Sequence, residues 1–161
     1  MIIVSNTSPI INLACVGQLN LLQQLYGRIT IPKAVYHEIT VKGAGQAGSR
    51  ELPLLERIES HQIIDLLFVA SLRMELDEGE SEAIALAIQL KADLLLMDER
   101  RGRAMTSRFG LKFVGLLGRL VEARQKGSLT FVKPALDDLI VKAGFWISHK
   151  LYVGVLQSVG E

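Results

Sequence analysis

Residues 93–98 read Asp-Leu-Leu-Leu-Met-Asp, four consecutive apolar side chains closed at each end by a carboxylate. So short a run without alternation fits a strand covered on both faces, the kind found in a parallel sheet. Asp98 then stands at the C-terminal end of that strand, where burying a carboxylate is costly unless it binds something. Upstream, Glu80–Ala92 reads as a helix, with acids at its N-terminus and Ala83, Ile84, Ala87 and Ile88 along one face. Downstream, the arginine-rich segment 99–110 reads as the next helix. A last strand follows at 112–115, then a helix from Leu116 to Gly127.

The same alternation runs back to the start. Residues 2–5 (Ile-Ile-Val-Ser) predict a strand, and Ser8 is placed to cap a helix with Pro9 in its first position. That helix ends at Gly17 and a second short one at Gly27. Residues 28–31 form the next strand, and Pro32 opens the helix that carries Glu38. A glycine-rich loop follows, then a helical segment over 50–60 and a strand over 61–65. After Ser128 the strand signal stops and two helices remain, 134–144 and 148–160. Strands separated by helices imply a three-layer α/β/α sandwich with a mainly parallel central sheet. Residues 1–126 form its core and residues 127–161 a C-terminal helical extension of the same domain.

Composition narrows the class. The chain has 161 residues, 49% of them hydrophobic and 22% charged, which excludes disordered and collagen-like polymers. Its mean hydropathy of +0.30 leads us to expect apolar surface covered in an oligomer or complex. No apolar run approaches the roughly 20 residues needed to span a bilayer. The start, Met-Ile-Ile-Val-Ser-Asn, lacks the features of a signal peptide, and a single cysteine, Cys15, fits a reducing cytoplasm. The net charge is only +1, but it is unevenly spread. Five acids fall within residues 75–82, and eight Lys or Arg against three acids fall within 98–126.

In parallel sheets, ligands bind where the C-terminal ends of strands meet the following loops. That rule points to Asn6, the loop before Pro32, Asp98 and Gly115. Glu38, Glu80, Glu82 and Asp98 are acids expected near this edge. Carboxylates converging on one cleft repel each other, and a hard divalent cation relieves the repulsion. Oxygen ligands select Mg²⁺ or Mn²⁺ over zinc. His37, His61 and His149 are isolated and lack zinc-ligand spacing. Residues 43–48, Gly-Ala-Gly-Gln-Ala-Gly, match the dinucleotide fingerprint through Gly43, Gly45 and Gly48. They follow a helix rather than a strand, and Pro53 interrupts the helix they should open, so we read them as a loop.

Five segments in order, Val-Ser-Asn-Thr-Ser-Pro-Ile-Ile, Ile-Pro-Lys-Ala-Val-Tyr-His-Glu-Ile, Gly-Glu-Ser-Glu-Ala-Ile-Ala-Leu-Ala, Ala-Asp-Leu-Leu-Leu-Met-Asp-Glu-Arg-Arg-Gly-Arg and Phe-Val-Gly-Leu-Leu-Gly-Arg-Leu, resemble the PIN-domain ribonucleases. In particular the chain resembles the VapC-like toxin subgroup, whose chains begin Ser-Asn-Thr-Ser-Pro. The resemblance implies a PIN-like sandwich and an Mg²⁺- or Mn²⁺-dependent endoribonuclease. It also implies an RNA substrate, a small antitoxin partner, a homodimer and no membrane. Its acidic site maps onto Asn6, Glu38, Glu80 (or Glu82) and Asp98, with Thr7 and Ser8 supporting the first position. Arg103, Arg100 and Arg101 are the candidates to grip RNA phosphates. Asn6 departs from the family's aspartate: its amide oxygen can coordinate a cation but brings no charge. The alternative is therefore a PIN-fold protein with little or no catalysis that serves as a binding module.

Overall fold

The computed structural model describes every residue except Glu99, and Arg101 in its backbone only. Five short strands form one sheet: β1 (Ile3–Ser5), β2 (Ile29–Pro32), β3 (Ile58–His61), β4 (Leu94–Leu96) and β5 (Phe113–Val114). Every pairing is parallel, in the order β3-β2-β1-β4-β5. The chain moves outward from β1 through β2 to β3, then returns to the other side of β1 for β4 and β5. The order reverses between β1 and β4, and such a switch point opens a crevice at the strand C-termini. Ser5 pairs with Leu96 there, and the Asn6 N–H donates to the Leu96 carbonyl at 3.0 Å.

Helices α1 (Thr7–Cys15), α2 (Asn20–Tyr26), α3 (Lys33–His37), α4 (Leu66–Leu72) and α5 (Glu78–Gln89) come before β4. After it come α6 (Arg100–Arg108), α7 (Leu116–Gln125), α8 (Val132–Lys142) and α9 (His149–Ser158). Strand side chains alternate between the two faces of the sheet. Ile3, Ile29, Ile31 and Leu96 enter a core with Ile10, Leu13, Leu22, Leu116, Leu120, Leu136 and Leu156, and so with α1, α2 and α7–α9. Val4, Leu95 and Met97 enter a second core with Val69, Leu72, Ile84, Leu86 and Met105, from α4–α6. The result is a three-layer α/β/α sandwich whose sheet is parallel throughout. No helix of the described residues is long and apolar enough to cross a membrane.

Three local expectations give way. Asn6, in an extended conformation, is the residue that caps α1, so the helix begins at Thr7 and Pro9 sits third. Pro9 is still within the first turn, where backbone N–H groups have no intrahelical partner to lose. Residues 50–60 are not a helix. Only Leu52–Leu54 makes a single tight turn before β3. The strand expected at 61–65 lies earlier, at Ile58–His61, and Asp65 instead caps α4 by accepting from the Phe68 N–H at 2.9 Å. Residues 43–48 form turns after a helical segment, as the loop reading expects, and Gly45 and Gly48 have φ of 82° and 89°.

Candidate active site

Asn6 leaves β1 at the switch point and is 3% exposed. Its neighbour Thr7, 6% exposed, opens α1. The third member arrives from β2. Pro32 ends that strand and starts α3, which widens after His37 into a π-type turn over Glu38–Lys42. Ile39, 1% exposed, pins this turn into the core and leaves Glu38 half-buried beside α1. The Thr7 hydroxyl donates to Glu38 Oε2 at 2.8 Å. Gly79, in the first turn of α5, closes the group. A Cβ added there would lie 2.9 Å from Glu38 Oε2, 3.3 Å from Thr7 Oγ1 and 3.4 Å from Asn6 Oδ1. Three oxygens from two segments, residues 6–7 and Glu38, therefore surround one small space that a side chain would fill.

The other half of the crevice is built from β4 and β5. Asp98 Oδ1 accepts from the Leu116 N–H, at the start of α7, at 2.7 Å. Arg103, one turn into α6, reaches back and donates from Nε to the Met97 carbonyl at 3.2 Å. Its guanidinium lies over the Phe113 ring, 5.5 Å from the centroid. Both groups crowd Gly115, where a Cβ would lie 2.8 Å from Asp98 Oδ1 and 3.2 Å from Arg103 Cζ. Gly79 and Gly115 are thus required for close approach, and the sequence reading gave neither that role. A glycine in the first turn of a helix was the available signal for Gly79.

The remaining predicted residues fall elsewhere around this centre. Glu80, 3% exposed, forms a capping box with Asp77: its Oε2 accepts from the Asp77 N–H at 3.0 Å, and its own N–H donates to Asp77 Oδ1 at 2.8 Å. It follows Gly79 directly, but one of its oxygens serves the helix start. Glu82 faces α3, accepting from the Ala34 N–H at 3.4 Å, in a pocket with Lys33, His37, Lys42 and Glu78. Burial raises its pKa, the Ala34 N–H lowers it and the Glu78 charge raises it again. Ser8 is half-buried in the first turn of α1. Arg100 is exposed at the start of α6, and the side chain of Arg101 lies outside the described residues.

Among the described residues, no three carboxylate, imidazole or thiolate groups gather as a metal cluster. The convergence is of mixed oxygens: an amide, a hydroxyl and a carboxylate, with the Asp98 carboxylate one strand away. An all-oxygen set of this kind fits a hard cation such as Mg²⁺ or Mn²⁺ and does not suit zinc. The crowded space at Gly79 is consistent with that fit.

The chain is thus a parallel sheet covered by helices on both faces, with acids and an arginine at its switch point. The PIN-domain family model matches residues 2–161, and the chain belongs to that family. PIN domains are generally nucleases acting on nucleic acid, typically with divalent metals. No curated protein matches the chain.

Proposed function

We propose that this chain is a divalent-metal-dependent endoribonuclease of the VapC-like type, acting as the toxin of a toxin–antitoxin pair in the cytoplasm. The observation that carries the reading is the convergence of Asn6, Thr7 and Glu38 oxygens on Gly79, next to the strand end that bears Asp98. Glu38 and Asp98, with the Asn6 amide oxygen and Glu80, would hold one Mg²⁺ or Mn²⁺. When bound, such an ion lowers the pKa of water and polarises a phosphoryl oxygen. The chain's own groups do the rest. Thr7 fixes the Glu38 carboxylate by donating to Oε2, and Glu38 takes the proton of the attacking water. Arg103, held by Met97 and Phe113, meets the negative charge of the phosphate. Water oxygen bonds to phosphorus as the P–O3′ bond breaks, the leaving 3′ oxygen takes a proton from solvent water, Glu38 returns its proton to solvent, and 5′-phosphate and 3′-hydroxyl ends result. Ile64, Leu66, Leu67 and Met74, all exposed, supply apolar surface for a small antitoxin or a second copy of the chain.

One observation favours a second reading, a PIN-fold binding module without catalysis: Asn6 contributes no charge where a carboxylate would. Two unit charges 4 Å apart interact by about 4 kcal/mol at an effective dielectric of 20, so the missing charge is not minor. The test is incubation of purified protein with a tRNA pool in Mn²⁺, in Mg²⁺ and in EDTA, with Asp98→Asn alongside. Cleavage that requires metal and is lost in the variant supports the nuclease. Wild-type and variant preparations that cleave alike, or not at all, support the binding module.

A further inference from the structure

The end of the crevice beyond Asp98 contains a feature that metal chemistry does not use. A cleft of about 410 Å³ has Asp98, Arg103, Gly115, Leu117 and Gly118 along one side and Phe145, Trp146 and Leu151 along the other. Its size falls within the range of pockets that hold small ligands. Trp146 is the chain's single tryptophan and is 84% exposed. An indole left in water this way forgoes much of the burial that normally places tryptophan inside.

The exposure is imposed by the neighbours. Phe145 and Ile147, on either side, both pack against the main core, and the Phe145 N–H donates to the Leu139 carbonyl at 3.0 Å. Ser148 then caps α9 by accepting from the Leu151 N–H at 3.2 Å. The short segment between α8 and α9 is therefore fastened on both sides of Trp146, so the indole is presented on an anchored backbone rather than on a loose tail. Gly118, also in the lining, lets α7 approach β5 closely, since a Cβ there would lie 2.9 Å from Val114 Cγ1.

The cleft thus runs from a carboxylate and a guanidinium to a flat apolar wall. Among RNA segments, an unpaired strand matches that sequence of chemistries: a charged phosphate joined through a sugar to a base with an uncovered π-face. A duplex does not match it, because its base faces are already stacked. We propose that Trp146 stacks a base of an unpaired RNA segment whose neighbouring phosphate lies at Asp98 and Arg103. The proposal rests on the nuclease reading and deepens it by naming the side chain that holds a base beside the bound phosphate. Stacking platforms of this kind tolerate any base, so Trp146 contributes affinity and strand state rather than sequence preference.

The test is binding of a short fluorescein-labelled single-stranded RNA to the full chain in Ca²⁺, a hard cation that offsets the carboxylate charge, followed by anisotropy, for wild type, Trp146→Phe and Trp146→Ala. Trp146→Ala should bind roughly tenfold or more weakly, Trp146→Phe should retain most of the affinity, and duplex RNA should bind all three alike. Unlabelled RNA should quench the indole fluorescence of the wild type, and an abasic strand should not. Equal affinity of Trp146→Ala and wild type, with indole emission unchanged at saturation, overturns the proposal. So does a Trp146→Ala chain that binds RNA normally but loses self-association in sedimentation, since Trp146 would then be a contact between copies. If wild type binds and cleaves while Trp146→Ala matches it, stacking alone fails. If binding depends on Trp146 but no RNA is cut in Mn²⁺, the nuclease reading fails and stacking stands. A wild type that binds no RNA removes both.

Discussion

Gly79→Ala separates the stability of this fold from its chemistry. In a helix, alanine is favoured over glycine by about 0.8–1.0 kcal/mol, less in a first turn such as this one. Against that gain, the new methyl would sit 2.9 Å from Glu38 Oε2, closer than side-chain carbons ordinarily come. The Glu38 carboxylate is the movable end of a flexible side chain and would rotate away, giving up its bond to Thr7. A hydrogen bond to a charged group is worth about 1.5–3 kcal/mol at most, and less at this partly exposed site. The two effects nearly offset, so stability should change by about 1 kcal/mol or less, a shift of roughly 2–4 °C in Tm. Activity should respond far more. Displacing the proposed general base by even an ångström costs roughly a hundredfold in rate. The assay is single-turnover cleavage of a defined RNA in Mn²⁺, run beside thermal unfolding. Wild-type cleavage by Gly79→Ala at unchanged Tm would refute the idea that this oxygen cluster performs the chemistry. A loss of cleavage explained by a collapse in Tm would refute the stability reasoning.

Two further outcomes follow from the same geometry. Because Glu82 has a raised pKa, the native state binds its proton more tightly than the unfolded chain does. Its contribution to stability is therefore full at low pH and falls as pH rises through the window above the ordinary carboxylate value. Glu82→Gln, which can still accept from Ala34, should flatten that part of the stability–pH curve and leave cleavage intact, checked by denaturant melts between pH 4 and 7. Asn6→Asp should lower Tm in EDTA, since it buries a charge at a site 3% exposed, and regain it on adding Mn²⁺. Equal melting of wild type and Asn6→Asp under both conditions would count against a cation at this edge.

The legible parts of the sequence were those whose signals are local and strong. Residues 93–98 identify β4 because a short apolar run suits only a strand covered on both faces, and both cores do cover it. Edge strand β3 was misplaced because an edge can be polar: Ile-Glu-Ser-His is paired on one side only, while the more apolar Gln-Ile-Ile that follows is not in the sheet. Ile63 is buried against the α4–α6 layer and Ile64 is 81% exposed. The Asp65 cap of α4 was a readable start signal, masked by the reading of residues 61–65 as a strand. At the site, the placing of Asn6, Glu38 and Asp98 at the sheet edge came from topology and family likeness. The Asp77–Glu80 capping box went unread, because the helix was started at Glu80 rather than at Glu78. The π-type turn that sets Glu38 went unread too, because a widened turn leaves no mark on a 3.6-residue period. The close approaches at Gly79 and Gly115 and the exposure of Trp146 depend on neighbours distant in sequence, so no local pattern marks them.

The central claim is that Glu38, in the turn after α3, and Asp98, just past β4, serve one divalent cation. The most direct measurement is a Mn²⁺ binding isotherm on the purified chain, compared with Glu38→Gln and Asp98→Asn. The account predicts saturable binding near one equivalent in the wild type, weakened roughly tenfold or more in each variant. Binding that is unchanged in both variants, or no binding in the wild type, would contradict it.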